Sequence, residues 1–62
     1  MPVVNIYMWS GRTIEQKRKL AEGITKVFES AAGVPPSALH IIFQDIPKND
    51  WAITGKLCSD SD

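Results

Sequence analysis

The sequence has too few cysteines and histidines for a disulfide or a metal site to stabilise its fold. Cys58 is its only cysteine and His40 its only histidine, so an internal disulfide is excluded and a tetrahedral metal site is not expected. Seven basic residues balance seven acidic ones, which argues against a nucleic-acid partner. The chain also lacks a signal-peptide pattern and any apolar run near the roughly 20 residues of a membrane span. We therefore expect no membrane or nucleic-acid binding, and the lone thiol fits a reducing cytoplasm.

Apolar residues, by contrast, are abundant for so short a chain. They make up 44% of its 62 residues, and this length leaves room for one domain over residues 1–62. A chain of this size buries only about 60% of the surface that its unfolded form exposes. Because disulfides and metals are not expected to stabilise it, association with further copies is the remaining way to bury apolar surface. We expect a homo-oligomer.

Two segments have the composition of strands. Residues 3–9, VVNIYMW, are rich in β-branched and aromatic side chains. Residues 39–46, LHIIFQDI, show little alternation, which favours burial on both faces. Residues 51–56, WAITGK, indicate a short extended piece or a hairpin arm that closes at Gly55. The polar tail CSDSD at residues 58–62 is expected to fray.

One long helix is predicted between the two strands. It follows the capping-box pair Thr13 and Gln16, runs from Ile14 to Ala32, and ends at Gly33, a favoured C-cap. Its apolar residues recur every three or four positions, and the resulting stripe is expected to cover the chain's own sheet. The members of this stripe are Leu20, Ile24, Val27, Phe28 and Ala31.

Strand, helix and strand in this order predict an α/β fold made of a single βαβ unit, followed by the short C-terminal hairpin. The two strands should be parallel, with a right-handed crossover. The helix can cover only one face of the sheet, so the other face is expected to meet another subunit. Since two strands alone make a marginal sheet, the sheet edges are also expected to pair across subunits.

Pro2 has two interpretations. The simpler one is structural, because proline is tolerated as the first residue of a strand. The chemical one begins with removal of Met1, which is usual when the second residue is small and would leave a free secondary amine. An α-amino group has a reference pKa of about 7.7–8.0, and a base of that strength suits proton abstraction next to a carbonyl.

Four other side chains also have a structural and a functional interpretation. Arg12 is either a solvated loop residue or a bidentate ligand for a carboxylate. His40, early in the second strand, is either structural or able to transfer a proton. Trp9 and Trp51 are either core and interface anchors or the walls of a ligand pocket. The cationic run at residues 17–19 is interpreted as a solvated helix face.

Together these features resemble the 4-oxalocrotonate tautomerase family over nearly the whole chain. The resemblance rests on Pro2 directly after the initiator methionine, on SGRTIEQKRKLAEGIT at residues 10–25, on the βαβ order, and on WAITG at residues 51–55. It implies a tautomerase-like fold assembled into a hexamer or a closely related oligomer. It also implies that Pro2, as a free terminal amine, moves a proton between an enol and its tautomer without a cofactor.

The resemblance also implies roles for the other candidate residues. Arg12 matches a family arginine that binds a substrate carboxylate, usually across a subunit boundary, and Trp51 stands where phenylalanine is common. His40 stands where a second arginine polarises the substrate carbonyl, and Trp9 replaces a smaller apolar pocket residue. The implied catalytic residues are Pro2, Arg12 and His40, with Arg12, Trp9 and Trp51 binding the substrate.

The implied site contains one arginine, Arg12, and two tryptophans. The implied substrate is therefore a small 2-oxo acid with one carboxylate, aromatic acids included. Two alternatives stay open at this point. One is a non-catalytic oligomeric binding protein of the same fold that keeps Met1, so that Pro2 is never a free amine. The other is a related lyase or dehalogenase, although no acidic residue stands out as the extra carboxylate that such chemistry usually needs.

Overall fold

Two parallel strands form the sheet in the computed structural model, which describes residues 1–60. Strand β1 is Val3–Trp9 and strand β2 is His40–Ile46, and the two pair in register over their whole length. The predicted parallel βαβ unit and the bounds of β1 are confirmed. Strand β2 begins one residue later than expected, because Leu39 closes the preceding 3-10 turn, Pro36–Ala38, by donating its N–H to the Pro36 carbonyl.

Helix α1, Ile14–Ala32, connects the strands and has the predicted bounds. At its start, the Gln16 N–H donates to the Thr13 hydroxyl oxygen at 3.1 Å, and the Thr13 N–H donates to the Gln16 side-chain oxygen at 2.9 Å. At its end, Gly33 takes the left-handed conformation with a φ of 67°. Both caps that the sequence predicts are confirmed.

The helix turns a narrower apolar face to the sheet than the sequence predicts. Leu20 and Val27, both members of the predicted stripe, are 40% and 62% exposed, and Ala31 is exposed as well. A two-stranded sheet cannot cover the whole stripe, since neighbouring strands lie only about 4.8 Å apart. The half-buried residues of α1 are Lys17, Ala21, Ile24, Thr25 and Phe28.

Lys17 joins the start of the helix to the sheet. Its Nζ lies 2.6 Å from Oδ2 of Asp45 in β2, and its side chain is half-buried. The interpretation of residues 17–19 as a solvated run is therefore wrong for Lys17. The reason is its position one turn before Ala21, on the side of α1 that faces the sheet.

The predicted C-terminal hairpin is confirmed. Strands β3, Ala52–Ile53, and β4, Lys56–Leu57, pair antiparallel. Thr54 and Gly55 join them with φ values of 55° and 76°, as a two-residue type I′ turn requires. Glycine takes this conformation readily, whereas a β-branched threonine is strained there.

The tail after the hairpin is more ordered than predicted. Cys58–Asp60 form a 3-10 turn, and Cys58, at 7% exposure, is the one buried apolar residue in the described part of the chain. The expectation of fraying is wrong for these residues because the Cys58 N–H donates to the Trp51 carbonyl at 2.8 Å. For residues 61 and 62 the expectation lies outside the described part.

The isolated protomer is extended and has little interior. Its radius of gyration is 14.7 Å, against roughly 11 Å for a compact domain of this length. It exposes 4767 Å² of surface, where a folded monomer of its mass would expose roughly 4000 Å². Apolar side chains contribute to this surface: Val3, Tyr7 and Ile42, on the sheet face away from α1, are 48%, 59% and 47% exposed.

Candidate active site

Pro2 and His40 meet at the end of the sheet where both strands begin. The backbone N–H of His40 donates to the Pro2 carbonyl at 3.1 Å, and His40 pairs with Val3 in the strand register. The exposed residues of β1 alternate with half-buried ones, as do the first four residues of β2, and both His40 and Val3 are exposed. The His40 side chain therefore lies on the uncovered face of the sheet, at the end where the Pro2 backbone is bound.

Trp9 and Trp51 meet at the opposite end. Trp9 is the last residue of β1, and Trp51 follows the 3-10 turn Lys48–Asp50 that leaves β2. Their ring centroids are 6.1 Å apart and their planes are inclined by 77°, an edge-to-face arrangement that aromatic pairs favour. Trp9 keeps 36% of its surface exposed, so the pair presents an accessible aromatic wall.

Arg12 lies near the same end, in the turn between β1 and α1. Gly11, with a φ of 124°, makes this turn at low cost because it has no Cβ. The ion pairs among residues 1–60 are Lys17 with Asp45 and Arg18 with Glu15, so within this range the Arg12 guanidinium is left without an acidic partner. Arg12 lines a shallow cavity with a volume of about 370 Å³, together with Gln16, Lys19 and Leu20.

The predicted site residues thus form two groups, which a single chain does not bring together. Pro2 and His40 lie at one end of the strand pair, and Trp9, Trp51 and Arg12 lie at or just beyond the other. Pro2 and Trp9 are seven residues apart along an extended strand, which places their Cα atoms about 23 Å apart. A small substrate cannot touch Pro2 and Trp9 of the same chain at once.

Sequence reasoning missed Lys48. Its Nζ lies 4.7 Å from the centroid of the Trp9 ring, within the range of a cation–π contact. In the sequence it belongs to PKND, which indicates only a turn. The signal that could have found it is a cation three residues before Trp51, on a turn that begins at a proline.

Metal sites and membrane-spanning helices have distinct structural requirements, and residues 1–60 meet neither set. Within residues 1–60, no group of three or more His, Cys, Asp or Glu side chains comes together to hold a metal ion. In the same range, no helix combines the length and the apolar character that crossing a membrane requires.

Solved structures with the same fold define the class of the protein. The chain resembles YwhB, a homologue of 4-oxalocrotonate tautomerase, with a TM-score of 0.93 and 33% identity over 98% of this chain and 100% of that one. It also resembles a heterohexamer 4-oxalocrotonate tautomerase from Chloroflexus aurantiacus, with a TM-score of 0.91 and 29% identity over the full length of both chains. The fold is that of the 4-oxalocrotonate tautomerases.

Sequence comparisons give the family. The model of the tautomerase enzymes matches residues 2–61. A probable tautomerase of Lactococcus lactis is 46% identical over 48 residues, which are 77% of this chain and 79% of the relative. A 2-hydroxymuconate tautomerase of Comamonas testosteroni is 38% identical over 55 residues, 89% and 87% of the two chains. The chain belongs to the tautomerase family of enzymes, which confirms the resemblance drawn from its sequence.

Proposed function

We propose that this enzyme interconverts the enol and keto forms of a small 2-oxo acid without a cofactor, with the amine of Pro2 as general base and acid. The observation that carries the proposal is the family match, whose first matched residue is Pro2. The hydrogen bond from the His40 N–H to the Pro2 carbonyl supports it, because it ties the residue that would bear the amine to an ordered strand pair.

The chemistry needs one group that can both accept and return a proton. The amine removes the proton of the enol hydroxyl, and the electron pair of that O–H bond forms the carbonyl. The electron pair of the carbon–carbon double bond then takes a proton from the ammonium, which regenerates the amine. Neither a metal nor a redox partner enters this balance, and electrostatic stabilisation of the enolate oxygen lowers the barrier.

Removal of Met1 is the condition for this role. While Met1 is attached, the Pro2 nitrogen is an amide whose lone pair is delocalised into the carbonyl, so it is not a base. Met1 is 86% exposed, and its position at the surface supports access by an aminopeptidase. We therefore propose that the active form begins at Pro2.

The remaining candidates bind and polarise the substrate. Arg12 offers a guanidinium that no acidic group within residues 1–60 neutralises, and it binds the carboxylate. His40, beside Pro2, donates to the carbonyl oxygen. Trp9 and Trp51 form the wall on which the rest of the substrate packs, and they exclude water from the reacting atoms.

A second copy of the chain completes the site in this proposal. Pro2 and Trp9 lie about 23 Å apart in one protomer, so Pro2 of one chain must act with the tryptophans of another and with the Arg12 that follows its β1. The exposed sheet face and the extended shape support association. A heterohexamer is described for the Chloroflexus aurantiacus relative, and we propose a homohexamer here.

The proposed substrate carries one carboxylate. Two relatives are named 2-hydroxymuconate tautomerase, and 2-hydroxymuconate is a dicarboxylate. This chain has a single arginine among the predicted site residues, and its second polar group is a histidine, which is shorter and is not a bidentate fork. The two tryptophans suit a flat hydrophobic group, so the enol of an aryl-substituted pyruvate fits best.

We place the enzyme in the cytoplasm. Its only cysteine, Cys58, is buried and free, which suits a compartment that keeps thiols reduced. Cys58 forms no disulfide that a reducing compartment would break, and it packs as a small apolar group.

The first experiment combines an intact mass with an enol assay on the same sample. A mass short by one methionine and rapid ketonisation of the enol of phenylpyruvate are expected together. A trimmed chain with no enol turnover on phenylpyruvate or 2-hydroxymuconate would overturn the proposal. A full-length mass with undiminished turnover would also overturn it, because the base would then be a group other than the Pro2 amine.

A non-catalytic binding protein of the same fold that keeps Met1 is the second candidate, and the accessible Trp9–Trp51 pair favours it, because such a wall can bind a ligand without turnover. In that case the aromatic wall and Arg12 bind an aryl acid that is not turned over. Enzymatic removal of Met1 from a full-length sample separates the two candidates. The tautomerase gains activity on trimming, whereas the binding protein only keeps its affinity.

A further inference from the structure

Lys48 is a cation at the aromatic wall to which the proposed function gives no role. Its Nζ lies 4.7 Å from the centroid of the Trp9 ring, well inside the roughly 6 Å limit for attraction between an ammonium and an aromatic face. It is the first residue of the 3-10 turn Lys48–Asp50, directly after Pro47, whose φ is −67°. The ring of proline restricts that angle, so the backbone that carries Lys48 is constrained.

The same turn also holds Trp51. The Trp51 N–H donates to the Lys48 carbonyl at 3.3 Å, and the Trp51 carbonyl accepts from the N–H of the buried Cys58 at 2.8 Å. Trp51 in turn meets Trp9 edge-to-face at 6.1 Å. Lys48, Trp9 and Trp51 are thus one cluster, in which a single short turn places both the ammonium and the second ring against Trp9.

The charge of this cluster is not neutralised by an ion pair among the described residues. The ion pairs within residues 1–60 use Lys17 and Arg18, and the nearest acidic residue in sequence, Asp50, does not pair with Lys48. An ammonium has three donors and no acceptor. While one side of the group faces the Trp9 ring, N–H donors on the other side can reach a negatively charged oxygen.

We infer that Lys48 is a specificity-determining residue that makes the Trp9–Trp51 wall selective for flat ligands with a negative charge. The ligand class is an aryl or conjugated carboxylate that packs on the rings with an anionic end near the Lys48 ammonium. The inference rests on the proposed function, because it assumes that this wall belongs to the substrate site.

The test measures binding rather than turnover, with trans-cinnamate as the charged probe and cinnamamide as its neutral counterpart. Isothermal titration calorimetry on the intact protein gives both dissociation constants. For Lys48→Met, which keeps an unbranched chain but removes the charge, the Kd of cinnamate is expected to rise roughly two- to five-fold, as for an exposed ion pair. The Kd of cinnamamide is expected to stay the same.

Two further variants sharpen the test. Lys48→Arg should retain the preference for cinnamate, since a guanidinium also stacks on an aromatic face. Lys26→Met is the matched control, because Lys26 is exposed on α1 about 18 Å along the helix axis from its first residue. This variant should leave both dissociation constants unchanged.

A spectroscopic signature separates positioning from general stability. The near-ultraviolet circular dichroism of the tryptophan pair should change in Lys48→Met and be retained in Lys48→Arg and Lys26→Met. Equal weakening of cinnamate and cinnamamide binding in Lys48→Met would overturn the inference, and so would an unchanged preference for the charged probe. The binding test involves no turnover, so it can succeed even if the enol assay fails. If the enol assay succeeds but charge selection does not depend on Lys48, only the inference about Lys48 is overturned and the proposed function stands.

Discussion

The two ends of the parallel strand pair are built differently. At the end where the strands begin, Pro2 and His40 are joined by a backbone hydrogen bond, and the His40 side chain is exposed. At the other end, Trp9 and Trp51 pack against each other under the Lys48 ammonium, and a hairpin follows. The proposed proton-transfer groups lie at one end, and the proposed binding surface lies at the other. The difference shows that the protomer separates the chemistry of its proposed site from its recognition surface.

Parallel topology accounts for this separation. Both strands of a parallel pair start at the same edge, so a residue ahead of β1 necessarily lies beside the first residue of β2. The residues that follow the strands collect at the far edge for the same reason. Seven strand residues fix the distance between the two edges at about 20 Å or more, and no loop movement within one chain closes it.

The largest effect is expected at the end where the strands begin. Pro2→Ala should lower kcat for enol ketonisation by about 10²–10⁴-fold, the usual contribution of general acid–base catalysis. The measurement is the absorbance decay of the enol of phenylpyruvate, with Met1 removed from both proteins and with equal protein and substrate concentrations. Circular dichroism and the oligomeric state should not change, because the Pro2 side chain takes no part in the hydrogen bond to His40. A variant with full activity would mean that catalysis at this end does not require the secondary amine of proline.

Mixing two impaired variants, one in kcat and the other in KM, tests whether the ends of different chains cooperate. Arg12→Ala should raise KM about tenfold or more, since a hydrogen bond to a charged group contributes about 1.5–3 kcal/mol. When Pro2→Ala and Arg12→Ala chains are unfolded and refolded together, some sites combine the intact Pro2 of one chain with the intact Arg12 of another. At equal amounts about a quarter of the sites should regain wild-type behaviour, if chains associate at random.

Refolding each variant alone is the control, and neither should recover. Activity of the mixture that stays at the average of the two separate samples would mean that each site draws both residues from one chain. That outcome contradicts the placement of Pro2 and Arg12 at opposite ends of the strand pair, and it would require a large rearrangement of the protomer.

The sequence predicts local structure here better than it predicts burial. The bounds of β1 and α1, both helix caps and the hairpin follow from residues that act on their neighbours, such as Thr13, Gln16 and Gly33. The burial of a side chain depends on which other elements pack against it. For that reason the predicted apolar stripe of α1 is wider than the buried one, and Lys17 is half-buried although the sequence predicts it to be solvated. The ordered Cys58 is another such case, because its partner, the Trp51 carbonyl, is a backbone group with no sequence signal.

The candidate site shows the same limit. Residue type and family resemblance predict Pro2, Arg12, His40 and the tryptophans as site residues, but they do not reveal which of these share an end of the sheet. Lys48 was missed because a cation–π contact leaves no motif. Its position opposite Trp9 follows only from the turn that leaves β2.

His40→Arg should shift the balance between substrates with one and two carboxylates. A guanidinium beside Pro2 adds a bidentate group that histidine lacks, so kcat/KM for 2-hydroxymuconate should rise about tenfold relative to that for the enol of phenylpyruvate, equivalent to one charged hydrogen bond. Steady-state kinetics on both substrates give the ratio. His40→Gln is the control, since it removes the imidazole without adding charge and should not favour the dicarboxylate. A ratio that is the same in all three proteins would place His40 outside the substrate site.

The smallest effect is expected at the hairpin beyond the aromatic end, and it concerns stability alone. Thr54 holds a φ of 55°, a conformation that costs an L-residue roughly 1–2 kcal/mol, whereas asparagine tolerates it and forms favourable type I′ turns with a following glycine. Thr54→Asn should therefore raise the free energy of unfolding by about 0.5–1 kcal/mol, measured by urea denaturation at fixed protein concentration because the oligomer contributes to stability.

Thr25→Asn is the contrasting control, since Thr25 is a half-buried helix residue whose hydroxyl donates to the Ala21 carbonyl at 2.7 Å, and that variant should be destabilised. Enol turnover should not change in Thr54→Asn, because the turn lies beyond Trp51 and its backbone, not its side chain, shapes the hairpin. A loss of turnover without a loss of stability would mean that the strain at Thr54 sets the position of the aromatic wall.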